Sequence, residues 1–161
     1  AEVARVAGIG PVTAGMVREL VLTQQVLKES MRLYPPAPVM TRVSAGDVEL
    51  GGVAVAAGTL VVIPIFAVHR HKLLWADPDR FDPDRFAPDK ETKISRYQYM
   101  PFGAGPRICI GMAFAMIEAT AMLATMLQSV RFGPASDRTP MPIARVTLVP
   151  KGGMPLRIWL D

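Results

Sequence analysis

Ten consecutive residues, Phe102-Gly103-Ala104-Gly105-Pro106-Arg107-Ile108-Cys109-Ile110-Gly111, hold the only cysteine of the 161-residue chain. Glycines and an arginine flank the sulfur, and a long apolar run follows at once. A cysteine at the mouth of a helix meets the positive end of the helix dipole and free backbone N–H groups. Both favour thiolate over thiol, and the thiolate is the form that binds metals or attacks electrophiles. Gly103, Gly105 and Gly111 allow tight bends and the close approach of something bulky and flat. Arg107, two residues before the sulfur, offers a fixed cation to an anionic group. These types at this spacing suit a thiolate ligand to haem iron. Three other readings stand beside it. A lone cysteine also serves as a small buried hydrophobe. A dinucleotide-binding loop would need glycine where Ile108 stands. A cysteine nucleophile would need a histidine base near Cys109.

The elements around the loop follow from periodicity. Thr13 to Leu33 spaces Met16, Val17, Leu20, Val21, Val26, Leu27 and Met31 as a helix, or two meeting near Thr23, and Pro35-Pro36 ends it. Residues 1–12 read as a loop or helix remnant. Val39–Val43, Val48–Val55 and Thr59–Ile65 are β-branched runs punctuated by glycines, the strands of a small sheet. Trp75 to Lys90 carries Pro78, Pro83 and Pro88 without period and reads as a long irregular segment. Gly111 to Ser129 is apolar enough to resemble a membrane span, but Glu118 near its middle favours a core helix. Val130–Phe132, Ile143–Val149 and Leu156–Leu160 are further strands, giving an α+β class. On the first helix Glu29 and Arg32 share a face; an i,i+3 pair of this kind is ordinarily a weak surface contact.

Composition limits the rest. A net charge of +4 without Lys/Arg clusters interleaved with aromatics gives nucleic-acid binding no support. One cysteine excludes an internal disulfide and is compatible with a reducing cytoplasm, the expected location. No flavin or nicotinamide fingerprint is present, and two histidines with one cysteine make no zinc spacing.

Phe102, Gly105, Arg107, Cys109 and Gly111 match every defined position of Phe-x-x-Gly-x-Arg-x-Cys-x-Gly, the cysteine-loop signature of the cytochrome P450 family, which this chain resembles. Glu29-x-x-Arg32 on a helix ending in Arg-Leu-Tyr-Pro-Pro matches that family's second signature. The resemblance implies a haem-thiolate monooxygenase with haem b, Cys109 being the axial iron ligand and catalytic residue. It places Arg107 and Arg42 on the haem propionates, although a strand-surface arginine would look the same at position 42. Phe102, Gly103 and Gly111 complete the cofactor-binding set, and Ala37, Pro38 and Val39 line the substrate pocket, whose small apolar character suggests an apolar substrate. Glu29 and Arg32 form a structural triad with the arginine of a Pro-Glu-Arg-Phe element. Here that element is Pro83-Asp84-Arg85-Phe86, so Arg85 is the expected third member and Arg80 belongs to a decoy copy. His69 and His71 are expected to be structural or surface residues.

The resemblance spans nearly all of residues 1–161, read as the C-terminal haem-binding part of a P450 domain of bacterial type. The distal helix with its Ala-Gly-x-x-Thr groove has no match, because Ala14-Gly15 is followed by Met16, Val17 and Arg18. Implied partners are a small organic substrate, O2, a separate electron donor (a ferredoxin or a flavoprotein reductase) and the missing N-terminal half. No membrane span is expected. The alternative function is a non-catalytic haem-binding or interaction module that exists only as this short chain.

Overall fold

The computed structural model describes residues 1–160. The chain opens with helix α1 (Glu2–Ala7) and a 3-10 turn (Met16–Glu19), which leads into α2 (Val21–Leu33). The start of α2 is capped from a distance. The Glu2 carboxylate accepts from the Leu22 amide at 2.8 Å and the Thr23 amide at 2.9 Å, and the Thr23 hydroxyl donates to it at 2.8 Å. Burial opposes ionisation of Glu2, but those three donors outweigh it and hold the carboxyl below its ordinary range. The orphan amides of a helix start are thereby satisfied by a negative charge at the positive end of its dipole. α2 stops at Tyr34, before Pro35-Pro36.

The expected single small sheet is instead two separate antiparallel ribbons. Strand β1 (Met40–Val43) pairs with β4 (Leu60–Ile63), while β2 (Val48–Leu50) and β3 (Val53–Val55) form a hairpin over Gly51-Gly52. Both glycines have positive φ, which a tight turn of this hand requires. One turn of helix, α3 (Ile65–Val68), follows β4. The irregular segment then runs to the cysteine loop, interrupted by a 3-10 turn (Pro83–Phe86) and the short α4 (Pro88–Glu91). After the loop comes α5 (Met112–Ser129), then β5 (Val130–Pro134) paired with β8 (Leu156–Leu160). Ile143–Val149 is a hairpin rather than one strand: β6 (Pro142–Ala144) turns through Arg145-Val146-Thr147 into β7 (Leu148–Pro150).

Core packing gathers around Val3, Leu20 and Ala124, where α1 and the Met16–Glu19 turn meet α5. Gln128 fastens the far end of α5 by donating to the Gly8 and Gly10 carbonyls at 3.0 and 2.7 Å. The expected burial of α5 is met at Thr120 and Ala124 only. α1, α2 and β5 cover one flank, and the Phe114, Ile117, Met122 and Met126 side chains face solvent. By length and composition α5 is also apolar enough to cross a membrane.

Candidate functional site

The site is built on a buried polar cluster. Glu29 and Arg32 are fully buried, and their side chains form a two-bond fork: Nε to Oε2 at 2.7 Å and an Nη2 bond to Oε1 at 2.8 Å. The remaining Arg32 donors are spent on carbonyls of the irregular segment. Nη1 reaches His69 and Pro78 at 2.8 and 2.7 Å, and Nη2 reaches Arg80 at 3.0 Å. Glu29 Oε1 also accepts from the Asp82 amide at 2.8 Å. A fully buried charge pair is tolerable only when such bonds satisfy it, and removal of one partner leaves a bare charge. The i,i+3 pair is therefore no surface contact.

Arg85 joins the cluster at its rim. Its Nε stands 3.5 Å from Glu29 Oε1, an ion-pair distance without a hydrogen bond, while Nη2 donates to the Asp77 carbonyl at 2.9 Å. Arg80 contributes only its backbone carbonyl to the cluster, and the residue is exposed. Aromatic rings close the cluster's far side: Trp75 lies under the Arg32 guanidinium at 5.1 Å, and Phe86 packs against Tyr99 at 4.7 Å.

His69, expected to be structural or surface, is a buried structural residue. Its ring is fully buried and stacks on Tyr99 at 5.4 Å. Burial is the main force lowering its pKa to about 4, helped by the nearby Arg32 and Arg70 cations against the Arg32 and Met31 backbone contacts. The His69-Arg70 dipeptide was visible in the sequence; its partners, 31 and 37 residues away, were not.

From this cluster the chain climbs through buried Met100 and Pro101 into the cysteine loop. The Gly103 amide closes a turn on the Met100 carbonyl at 3.0 Å, and the Cys109 amide closes a wider one on the Phe102 carbonyl at 2.9 Å. Gly103 and Gly105 hold φ values of +82° and +75°, the left-handed region where a side chain is strained. A Cβ on Gly103 would also stand 3.1 Å from the Met40 sulfur. β1 therefore packs its first residue against the loop, and Arg42, two residues on, shares that face of the strand. Phe102 is half-buried, and a Cβ on Gly111 would sit 3.8 Å from the Cys109 sulfur.

Cys109 is an exposed free thiol, and Arg107 and Arg42 are exposed as well. The Arg42 guanidinium donates only to the neighbouring Thr41 carbonyl, at 2.7 Å. Ile110 is fully exposed at 104%, so an apolar surface adjoins the sulfur. Of the pocket trio, Ala37 and Val39 are exposed, while Pro38 is buried and its carbonyl accepts from Phe66 at 3.0 Å. A cavity of about 570 Å³ lies between α2, the loop and the start of α5, lined by Lys28, Met31, Tyr99, Phe102, Gly105 and Met112 among others. Among the described residues no group of three or more His, Cys, Asp or Glu side chains could hold a bare metal ion. The donor set is one soft sulfur with exposed guanidinium and apolar groups. It fits a flat, apolar, anion-bearing metal complex.

Comparison with known proteins agrees with this chemistry. The family model described as Cytochrome P450 matches residues 1–156. Cytochrome P450 3A18 of Rattus norvegicus is 39% identical over 150 residues, which cover 92% of this chain and 30% of the relative. Cytochrome P450 3A27 of Oncorhynchus mykiss is 41% identical over 136 residues, 83% of this chain and 26% of the relative. Cytochrome P450 714C3 of Oryza sativa subsp. japonica is 40% identical over 148 residues, 88% of this chain and 28% of the relative. The chain thus spans less than a third of the length of these relatives. All three are vertebrate or plant proteins and lend the narrower bacterial-type expectation no support. A match over nearly the whole chain, with the loop and the buried pair in place, makes this protein a member of the cytochrome P450 family.

Proposed function

We propose that this chain is the proximal, haem-holding part of a P450 monooxygenase that inserts one oxygen atom of O2 into an apolar organic substrate. The observation that carries the reading is the exposed Cys109 sulfur on a glycine-bent loop, with Arg107 exposed two residues before it. Cys109 would ligate the iron of haem b as thiolate, and Arg107 and Arg42 would bind the propionates through charge-assisted hydrogen bonds. Phe102 would keep water from the sulfur, while Gly103 and Gly111 leave room for the flat ring. Haem with a thiolate ligand supplies the chemistry of O–O cleavage. Ala37, Pro38 and Val39 would line the pocket above it. Electrons would come from a separate ferredoxin or flavoprotein reductase. We place the protein in the cytoplasm, where a free thiol stays reduced.

Titrating ferric haem into the chain, then reducing it under carbon monoxide, tests the ligand. A red-shifted thiolate-type band is expected, and its persistence in Cys109→Ala overturns the assignment. A second reading is a haem-binding module without turnover. Thiolate-type haem binding without oxygen consumption, when the chain is supplied with an electron donor and apolar substrates, would select it.

A further inference from the structure

His69 belongs to neither signature that links this chain to its family, yet it lies between them. Its ring Nδ1 stands 3.2 Å from the Arg32 carbonyl, and its Nε2 accepts the Met100 amide at 2.8 Å. An amide N–H can only donate, so Nε2 is the bare nitrogen and the proton sits on Nδ1, facing the Arg32 carbonyl. The Arg32 side chain in turn donates to the His69 carbonyl at 2.8 Å. Backbone and side chain of each residue thus hold the other. Met100 carries the contact onward, because its carbonyl receives the Gly103 amide at 3.0 Å, and Phe102 receives the Cys109 amide at 2.9 Å.

We infer that His69 is a positioning residue, whose neutral, Nδ1-protonated ring couples the buried ion pair of α2 to the loop that carries Cys109. The consequence at the iron rests on the haem-thiolate reading; the coupling itself does not. A core-filling ring would need only shape, and this ring has a donor and an acceptor, both used. Protonation at Nε2 would abolish the acceptor and set a cation beside Arg32 from α2 and Arg70 from its own segment. Glu29, the anion of the cluster, is already bound by Arg32, and Tyr99, stacked on the ring, is the other titratable neighbour.

Residue-resolved amide exchange on the full chain without haem tests the coupling. His69→Phe keeps the ring and loses both bonds; His69→Gln puts an amide oxygen within reach of the Met100 amide. Exchange at Met100, Gly103 and Cys109 should rise at least tenfold in His69→Phe, with His69→Gln recovering much of the protection. A filling role predicts the reverse ranking, because phenylalanine fills an apolar space better, and that ranking overturns the proposal. If either variant fails to fold, ring 15N shifts of the unaltered protein decide it: a bare Nε2 sustains the proposal, and a protonated Nε2 removes it. In haem-loaded chain, His69→Phe should raise the fraction lacking the thiolate-type carbonyl band. A parent chain that takes up no haem, with exchange still following the predicted ranking, refutes the ligand reading and leaves the His69 coupling standing.

Discussion

Two regions rich in polar side chains are treated in opposite ways by this fold. The side-chain donors of Arg32 and His69 meet acceptors, and Glu29, Arg32 and His69 are fully buried. Around Cys109 the sulfur, Arg107 and Arg42 all stand in solvent. The first region spends its polar groups on the chain itself, so it can fix geometry but cannot bind. The second leaves its polar groups free, so it can bind while contributing little to the fold. Damage to the first region should therefore cost stability, reaching Cys109 only through the His69–Met100 contact, while damage to the second should cost binding.

The sharpest way to break this contrast is to remove one partner of the buried pair. Glu29→Ala or Arg32→Ala should cost about 3–5 kcal/mol, since each strands a charge among apolar groups. Urea denaturation followed by circular dichroism reads this, and a loss under 1 kcal/mol would show that the pair is solvated after all.

Acid should act next, through His69. The unfolded chain takes up the histidine proton near pH 6.5, whereas the folded chain resists until about pH 4. Between those values the unfolded state holds more protons, so stability falls as pH falls, by about 3 kcal/mol in full. Urea midpoints recorded from pH 7 to 4 should show the slope, and His69→Phe should lose it.

Smaller effects test the packing and the loop. Ala124→Leu, in the tight contact of α5 with Val3 and Leu20, should cost about 1–3 kcal/mol by overpacking. Gly103→Ala forces a side chain to φ +82° against the Met40 sulfur, which can swing aside, so about 1 kcal/mol is expected. Thermal unfolding measures both. At the far end, Arg107→Leu should leave stability within about 0.5 kcal/mol. Its haem dissociation constant should rise about ten- to a hundredfold, one charge-assisted contact being worth roughly 1.5–3 kcal/mol. Haem transfer to apo-globin reads this, and unchanged retention would remove Arg107 from the propionate role.

Local signals in the sequence were dependable where a residue type has one backbone consequence. Pro35-Pro36 ended α2, whereas the expected strand Val48–Val55 is a hairpin that turns at Gly51-Gly52. The turn at Arg145-Val146-Thr147 was hidden because no glycine or proline marks it; its geometry comes from the pairing of Ile143 with Val149. α3 is a single turn, too short for a period to show. In the candidate site, the grouping of Glu29 with Arg32 and Arg85 was legible only through the resemblance, since spacing alone describes a surface pair. The place of His69 could not be read, because its partners lie on two other segments and neither bond leaves a pattern in neighbouring residues. Apolar composition states what a helix would bury, not what is present to cover it, and α5 leaves Phe114 and Met122 in solvent.

Glu29 also has a consequence in time. Its carboxylate is satisfied by α2 itself and by an amide 53 residues further along the chain. Until residues 77–85 arrive, sinking α2 into the interior would trap a charge that water would otherwise solvate. The helix must therefore wait for a loop of that size to close, an ordering cost of about 3.5 kcal/mol in chain entropy before the contacts return anything. A protein that locks its core with so distant a clasp should fold slowly for its size, in the range of sheet proteins rather than helical bundles.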